Sequence, residues 1–423
     1  MGEIRPRLAF DHAGGAVKTV VAPDSFKGSL GSIEAARAIA EGIRRVLPLV
    51  ETVELPVADG GEGTVEALVA ARGGRISRAY VTGPLGDKVE AAYGLLDDGT
   101  GVVEAAAASG LGLVPSGSRD PSRTTSRGTG ELVSLLLDSG CRRIIVGLGG
   151  TATNDGGLGL AQALGISFQD SGGRELEGGG ASLASLATID LSARHPRLAG
   201  CELLIASDVD NPLVGPQGAS AVFGPQKGAG PSMVASLDSS LAHLADVIEA
   251  ETGERFHERP GAGAAGGMAA VLMAFCGASP KGCALGHSGI DLVLDAVGFE
   301  AAALDSDLVV TGEGRIDGQS ARGKAPIGVA RRARLLARSR GRALPVVALV
   351  GAIGPGADTV YAEGIDSILC IADGPMGLED GMATCGLLLS SASERMMRLI
   401  LACQYGHRGS LGDITGPSAS FGR

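Results

Sequence analysis

The sequence predicts an α/β fold in which a doubly wound, mainly parallel domain is split across the chain ends and encloses a second α/β domain. Three observations predict it. Short β-branched runs recur, each followed by a Gly-rich loop and then a helical pattern, the rhythm of strand–loop–helix units. The middle of the chain breaks that rhythm. Glycine is over-used, at 69 of 423 residues against an average near 7%, and it clusters beside Asp, Ser, Thr and Lys. Glycine lets backbone amides approach a ligand closely. Loops of this kind lie outside the carboxyl ends of strands, where α/β sheets bind ligands.

In chain order, Thr19–Ala22 reads as a strand and Pro23–Leu30 as a loop, with Ser32 as the N-cap of a helix through Val46. Thr52–Pro56 is the next strand, leading to a loop at Asp59 and a helix near Thr64–Ala71. Residues 76–93 alternate like a hairpin, and Gly172–Gly180 is a glycine-rich turn region. Strands follow at Arg143–Gly147 and Leu203–Ala206, with loops at Gly149–Gly157 and Ser207–Gly215. Leu308–Thr311 leads into a loop, Gly312–Gly323, and a basic helix around Ile327–Arg340; Val346–Val350 and Ser367–Ile371 close the series. The expected organisation is residues 1–75 and 288–405 in the split domain, 76–287 in the insert, and a frayed tail over 406–423.

Composition narrows the function. A net charge of −11 and 3% aromatic residues disfavour a nucleic-acid partner, which would need a basic stripe and stacking platforms. The six His and seven Cys show no CxxC, HxxxH or HExxH spacing, so zinc is not indicated and a carboxylate-held hard cation fits better. Free, unspaced cysteines suit a reducing compartment. The first 18 residues lack an apolar signal-peptide core. The uncharged stretch from Pro260 to Pro280 is solidly apolar only over Met268–Cys276, too short to span a membrane and suited to a buried helix.

Several segments could carry chemistry. DGGxG occurs twice, at Asp59–Gly63 and Asp155–Gly159, each between a predicted strand and helix. Amides and dipole at such a helix start can hold phosphate or carboxylate oxygens, while the Asp can cap the helix, bind Mg²⁺ or accept a proton. PDSFKGS (23–29) sets Ser25 and Lys27 on a turn, where a Lys beside amide donors suits a carboxylate or a transferring phosphoryl group. Ser207–Pro212 clusters Asp208 and Asp210 at a strand end, for metal or base work or an Asx-turn. Glu313, Arg315, Asp317 and Lys324 fall on one long charged loop. Gly261, Gly263 and Gly266 match GxGxxG without a preceding strand, so they indicate close packing rather than a dinucleotide site. Gly318-x4-Gly323-Lys324 continues with Ala325 where a P-loop needs Ser or Thr.

Together, VVAPDSFKGSL (20–30), LPVADGGEGT (55–64), VTGPLGDKVEAAYG (81–94), SRGTGELV (126–133), GLGGTATNDGGLG (147–159), ASDVDNPLVGPQGASAVFGPQKGA (206–229), PGAGAAGG (260–267) and TGEGRIDGQSARGKAPIGVA (311–330) resemble the glycerate kinase family of bacterial type, distinct from kinases built on a MOFRL domain. The likeness covers roughly residues 18–400. Thr151 stands where that family usually has Ser, and no Met follows Glu104. The resemblance implies a cytoplasmic enzyme that uses ATP and Mg²⁺ to phosphorylate D-glycerate at its 2-hydroxyl, giving 2-phosphoglycerate. It also implies that the split domain is flavodoxin-like. On that reading Ser25 and Lys27 hold the substrate carboxylate or the transferred phosphoryl group. Gly149, Gly150, Thr151, Asn154, Gly156 and Gly157 cradle ATP phosphates. Asp208 and Asp155 are the candidate base and Mg²⁺ ligand in an unassigned order. Asp59, Glu62, Arg315 and Lys324 form a further substrate-binding tier, and Glu313 a cofactor-binding one. The partners expected are glycerate and ATP, with neither nucleic acid nor membrane, and the sequence leaves the oligomeric state open, a homodimer included. A kinase for another small hydroxy acid, or a non-catalytic glycerate or phosphometabolite sensor, are the alternatives.

Overall fold

The structure is a computed structural model that describes residues 17–277 and 289–408. In chain order the first elements are β1 (Lys18–Pro23), α1 (Ser32–Val46), β2 (Glu51–Glu54), α2 (Thr64–Arg72), β3 (Gly74–Thr82), β4 (Lys88–Leu96) and β5 (Gly101–Glu104). Then come α3 (Ala105–Ser109), α4 (Arg127–Asp138), β6 (Arg143–Gly147), α5 (Leu158–Ala163), β7 (Ser167–Gln169), β8 (Thr188–Asp190), β9 (Glu202–Ala206), α6 (Ala219–Phe223), α7 (Pro231–Thr252) and α8 (Met268–Phe275). The series ends with α9 (Gly289–Ala296), α10 (Phe299–Ala303), β10 (Leu308–Ile316), α11 (Ala325–Arg340), β11 (Val346–Ile353), β12 (Ser367–Cys370), α12 (Leu378–Ala383) and α13 (Cys385–Arg408).

One five-stranded sheet runs β12-β11-β10-β1-β2, with every pairing parallel. Its central strands carry apolar runs buried on both faces at residues 20–22, 308–310 and 346–350, as parallel strands covered by helices must. Counted within this sheet, the order is the 2-1-3-4-5 of a flavodoxin-like doubly wound fold, and its topological switch point lies between β1 and β10. α1 and α13 cover one face through Ile39, Ile43, Leu389 and Met397. α9, α10 and α11 cover the other.

The second sheet runs β3-β4-β5-β6-β9. The alternating segment 76–93 is an antiparallel hairpin, β3 with β4. β5 then pairs antiparallel to β4 and parallel to β6, and β6 parallel to β9. α4, α5, α7 and α8 bury Leu136, Leu158, Leu241 and Met268 in its core. α8 is the expected buried helix, and among the described residues no helix is long and apolar enough to cross a membrane. A further apolar layer joins the two sheets, drawing Val20 and Val309 from one, Val102 and Leu204 from the other, and Leu68 and Leu294 from α2 and α9.

Three local expectations are corrected. Ser32 is the first helical residue rather than the N-cap; Gly31 caps α1 in extended conformation without a side-chain bond, and Glu34 puts its acid on the first turn, where the helix dipole favours it. The expected loop from Gly312 is strand as far as Ile316, because β11 also runs on to Ile353 and pairs Arg315 with Ala352. The expected tail from 406 starts inside α13, which continues through Arg408. Residues 409–423 lie outside the described residues, as do 1–16 and the expected boundary at 287/288.

Candidate active site

The loops at the carboxyl ends of β1, β10 and β11 enclose a cavity of about 780 Å³. Loops of the second sheet enclose one of about 210 Å³. Asp59, half-buried in the first DGGxG, lines both.

In the larger cavity the chain leaves β1 at Asp24, whose amide donates to Gly312 O (2.9 Å) and whose carboxylate accepts from Ser25 N (2.6 Å). The turn closes with Phe26 N to Leu30 O, 2.8 Å. Lys27 is exposed at the rim, and Ser25 Oγ is buried without a hydrogen-bond partner. Ser29 Oγ donates to Met382 O at 2.5 Å, tying the turn to α12. Burial first, and the neighbouring charge of Asp59 next, hold the Asp24 carboxyl well above the usual carboxylate range. Glu313 is buried on β10 itself. It accepts from Ser320 Oγ (2.7 Å) and pairs with Lys324 Nζ (3.1 Å), and burial raises it despite Lys324. Arg315 is exposed beside Asp317. The opposite wall is apolar, formed by Ile371, Met376, Leu378, Met382 and Leu388. Such a chamber offers one face to a flat apolar group and the other to charge.

The smaller cavity joins Asp59 to Gly149, Gly150, Thr151, Ser207, Asp208 and Lys227. Asp208 follows β9, and its Oδ1 accepts from Ile290 N (3.2 Å). Gly149 donates to Gly60 O (3.2 Å). A Cβ on Gly149 would sit 2.7 Å from Gly61 Cα, so only glycine lets these two loops touch. Lys227 is 3% exposed. Its Nζ donates to Thr153 O (2.6 Å) and Thr151 Oγ1 (3.4 Å), and burial lowers its pKa to about 8.

The structure thus brings Ser25, Lys27, Asp59, Glu313, Arg315 and Lys324 to one cavity, and Gly149, Gly150, Thr151 and Asp208 to the adjoining one. Five other expected residues stand outside both cavities. Asp155 is fully buried and accepts from Ser126 N and Oγ (2.8 Å each), Gly157 N (3.2 Å) and Gly159 N (3.3 Å). Its carboxylate ties the start of α5 to Ser126, and it lines neither cavity. The Gly157 amide is spent on Asp155, and Gly156 N on Gly266 O (3.0 Å), so neither reaches a phosphate. Asn154 is buried against Ser220 Oγ (2.9 Å) and lines neither cavity. Glu62 is exposed and also lines neither. The GxGxxG glycines are packing elements as expected: a Cβ on Gly266 would meet Thr153 O at 2.1 Å. Two residues absent from the expected site are Asp24 and Lys227; each sits inside a motif already noted, PDSFKGS and the run 206–229, but looks there like an ordinary loop residue.

Comparison with known proteins points one way. The model of the glycerate kinase family matches residues 19–401. A glycerate kinase of Bacillus subtilis (strain 168) is 50% identical over 365 residues, covering 86% of this chain and 92% of that protein. A glycerate 2-kinase of Escherichia coli (strain K12) is 50% identical over 356 residues, covering 84% and 90%. A crystal structure from Salmonella typhimurium LT2, described as a glycerate kinase 2 candidate, superimposes with a TM-score of 0.78 at 44% identity, over 92% of this chain and 100% of that one.

Proposed function

The chain belongs to the glycerate kinase family and is a glycerate kinase; from that premise we propose that it takes the phosphoryl group from ATP with Mg²⁺ and transfers it to the 2-hydroxyl of D-glycerate in the cytoplasm. The observation that carries this reading is the pair of cavities meeting at Asp59, one large and half apolar, the other small and polar. The larger suits a nucleoside against Ile371, Met376 and Leu378, with its phosphates toward Lys27, Lys324 and Arg315. The 2-hydroxyl is supported by the name of the Escherichia coli relative, and free cysteines agree with a reducing compartment.

Phosphoryl transfer leaves the protein little covalent work; catalysis is positioning and charge neutralisation. Asp208 accepts the 2-hydroxyl proton as that oxygen bonds to the γ-phosphorus and the bond from γ-phosphorus to the β,γ-bridging oxygen breaks. Lys27, Arg315 and Lys324 offset the charge that moves onto the departing ADP. The residues fit Mg²⁺: Asp24 and Asp59 line the same cavity, and Mg²⁺ is ordinarily held by one or two carboxylates plus phosphate oxygens. Asp24 and Asp59 would hold it, replacing Asp155, since their crowded charge is what a cation relieves. When bound, the ion supplies neutralisation of the β- and γ-phosphate oxygens.

The test is an assay of purified protein with ATP, Mg²⁺ and D-glycerate coupled through enolase and pyruvate kinase, run with and without phosphoglycerate mutase. Signal without the mutase identifies 2-phosphoglycerate. Signal only with it refutes attack by the 2-hydroxyl, and silence in both refutes the reading.

A further inference from the structure

Lys227 is a buried ammonium whose bonded partners are neutral. A carbonyl and a hydroxyl accept from it. The acid whose charge it feels is Asp155, and that carboxylate accepts from Ser126, Gly157 and Gly159 instead. A buried charge without a counter-ion costs several kcal/mol, so the fold tolerates here an arrangement that an arriving anion would relieve. The ammonium has three donors. Thr153 O and Thr151 Oγ1 take two, and the side chain lines the smaller cavity.

That cavity holds about 210 Å³, room for a three-carbon acid and too little for a nucleotide. Asp208 and Ser207 stand on its wall and Asp59 at its junction with the larger cavity. We propose that the smaller cavity is the acceptor site and that Lys227 binds the carboxylate of the hydroxy acid, turning its 2-hydroxyl toward Asp208. A carboxylate on Lys227 discriminates an acid from a neutral polyol of the same length. The second-sheet loops therefore hold the acceptor, while Lys27, Arg315 and Lys324 are left to the phosphates. This assignment rests on the glycerate kinase reading.

The test is calorimetric titration of the full-length protein, saturated with β,γ-methylene-ATP, using D-glycerate and glycerol as probes. Wild type is expected to bind D-glycerate and not glycerol. Lys227→Met, which keeps the volume and removes a buried charge, should weaken D-glycerate binding by about 50-fold or more, with nucleotide affinity unchanged within about 3-fold. Unchanged D-glycerate affinity, or a loss of nucleotide affinity instead, overturns the assignment. Should the variant not fold, wild type alone decides. Near pH 8.5, titration in two buffers of different ionisation heat should show proton uptake as the anion recharges Lys227. Asp59, Asp155 and Asp208 share its surroundings, and where Lys227→Met folds, the same two-buffer titration of that variant separates their protons from those of Lys227. Absence of uptake overturns the proposal. Binding as expected without turnover would refute the kinase reading and leave the carboxylate site standing; turnover with unaltered Lys227→Met binding would do the reverse.

Discussion

Asp155→Asn separates architecture from chemistry. The wild-type carboxylate accepts four hydrogen bonds inside the second domain, from Ser126 N, Ser126 Oγ, Gly157 N and Gly159 N. An Asn of the same size keeps one acceptor oxygen and turns an NH₂ toward donors. If the oxygen stays with Ser126 and Gly159, Gly157 N alone is left unpaired; if the amide flips, both Ser126 bonds and the Gly159 bond are lost, so the first arrangement is preferred. Each buried donor left unpaired costs about 1–3 kcal/mol. Part of this is offset, because burial already raises the Asp155 carboxyl above its ordinary value and a neutral amide is cheaper to bury. A net loss of about 1–3 kcal/mol results, or about 2–12 °C in Tm at about 2–4 °C per kcal/mol for a domain of this size. The chain has no Trp, so melting is followed by calorimetry or circular dichroism. Well below the melting point, kcat should stay within about 3-fold of wild type. A variant that melts within about 2 °C of wild type yet loses kcat by about 10²-fold or more would put Asp155 back into the chemistry.

Two further outcomes are expected. Asp208→Asn should show the converse pattern, kcat lower by about 10²–10⁴-fold with an unchanged melting temperature, since an Asn oxygen can still accept from Ile290 N; near-normal kcat would remove Asp208 as the base. Burial pushes the Glu104 carboxyl up from 4.5 to about 7, against the bond it accepts from Val65 N. Because the folded value lies above the unfolded one, its contribution to stability is complete below about pH 4.5 and is lost as pH rises through about 7, at most about 3 kcal/mol. Glu104→Gln should therefore flatten the fall of Tm between about pH 5 and 8; equal slopes in the two proteins would exclude Glu104 as the source.

The order of strands, loops and helices in the flavodoxin-like sheet was legible because a parallel strand buried on both faces is a continuous apolar run, as in Thr19–Ala22 and Val346–Val350. Alternation marked the 76–93 hairpin, and an uncharged apolar stretch marked α8. The long helices α7 and α13 were not among the predicted elements, although α7 buries Leu237, Leu241, Leu244 and Ile248 at helical spacing.

Local sequence also determined that acid-glycine loops would sit at strand ends, but not which of them would stay open. The two DGGxG segments share one pattern, yet Asp59 lines both cavities while Asp155 is sealed under Ser126. The difference comes from Ser126, which stands just before α4 and brings a hydroxyl and an amide onto the Asp155 carboxylate. Lys227 is the same lesson with the opposite sign. In a Gly-Pro-Gln-Lys-Gly turn it looks like a surface lysine. Only the packing of that turn against Thr151 and Thr153 strips its water and leaves a charge facing the small cavity. Burial is a property of the assembled chain, and burial decides which polar residues become structure and which remain available for chemistry.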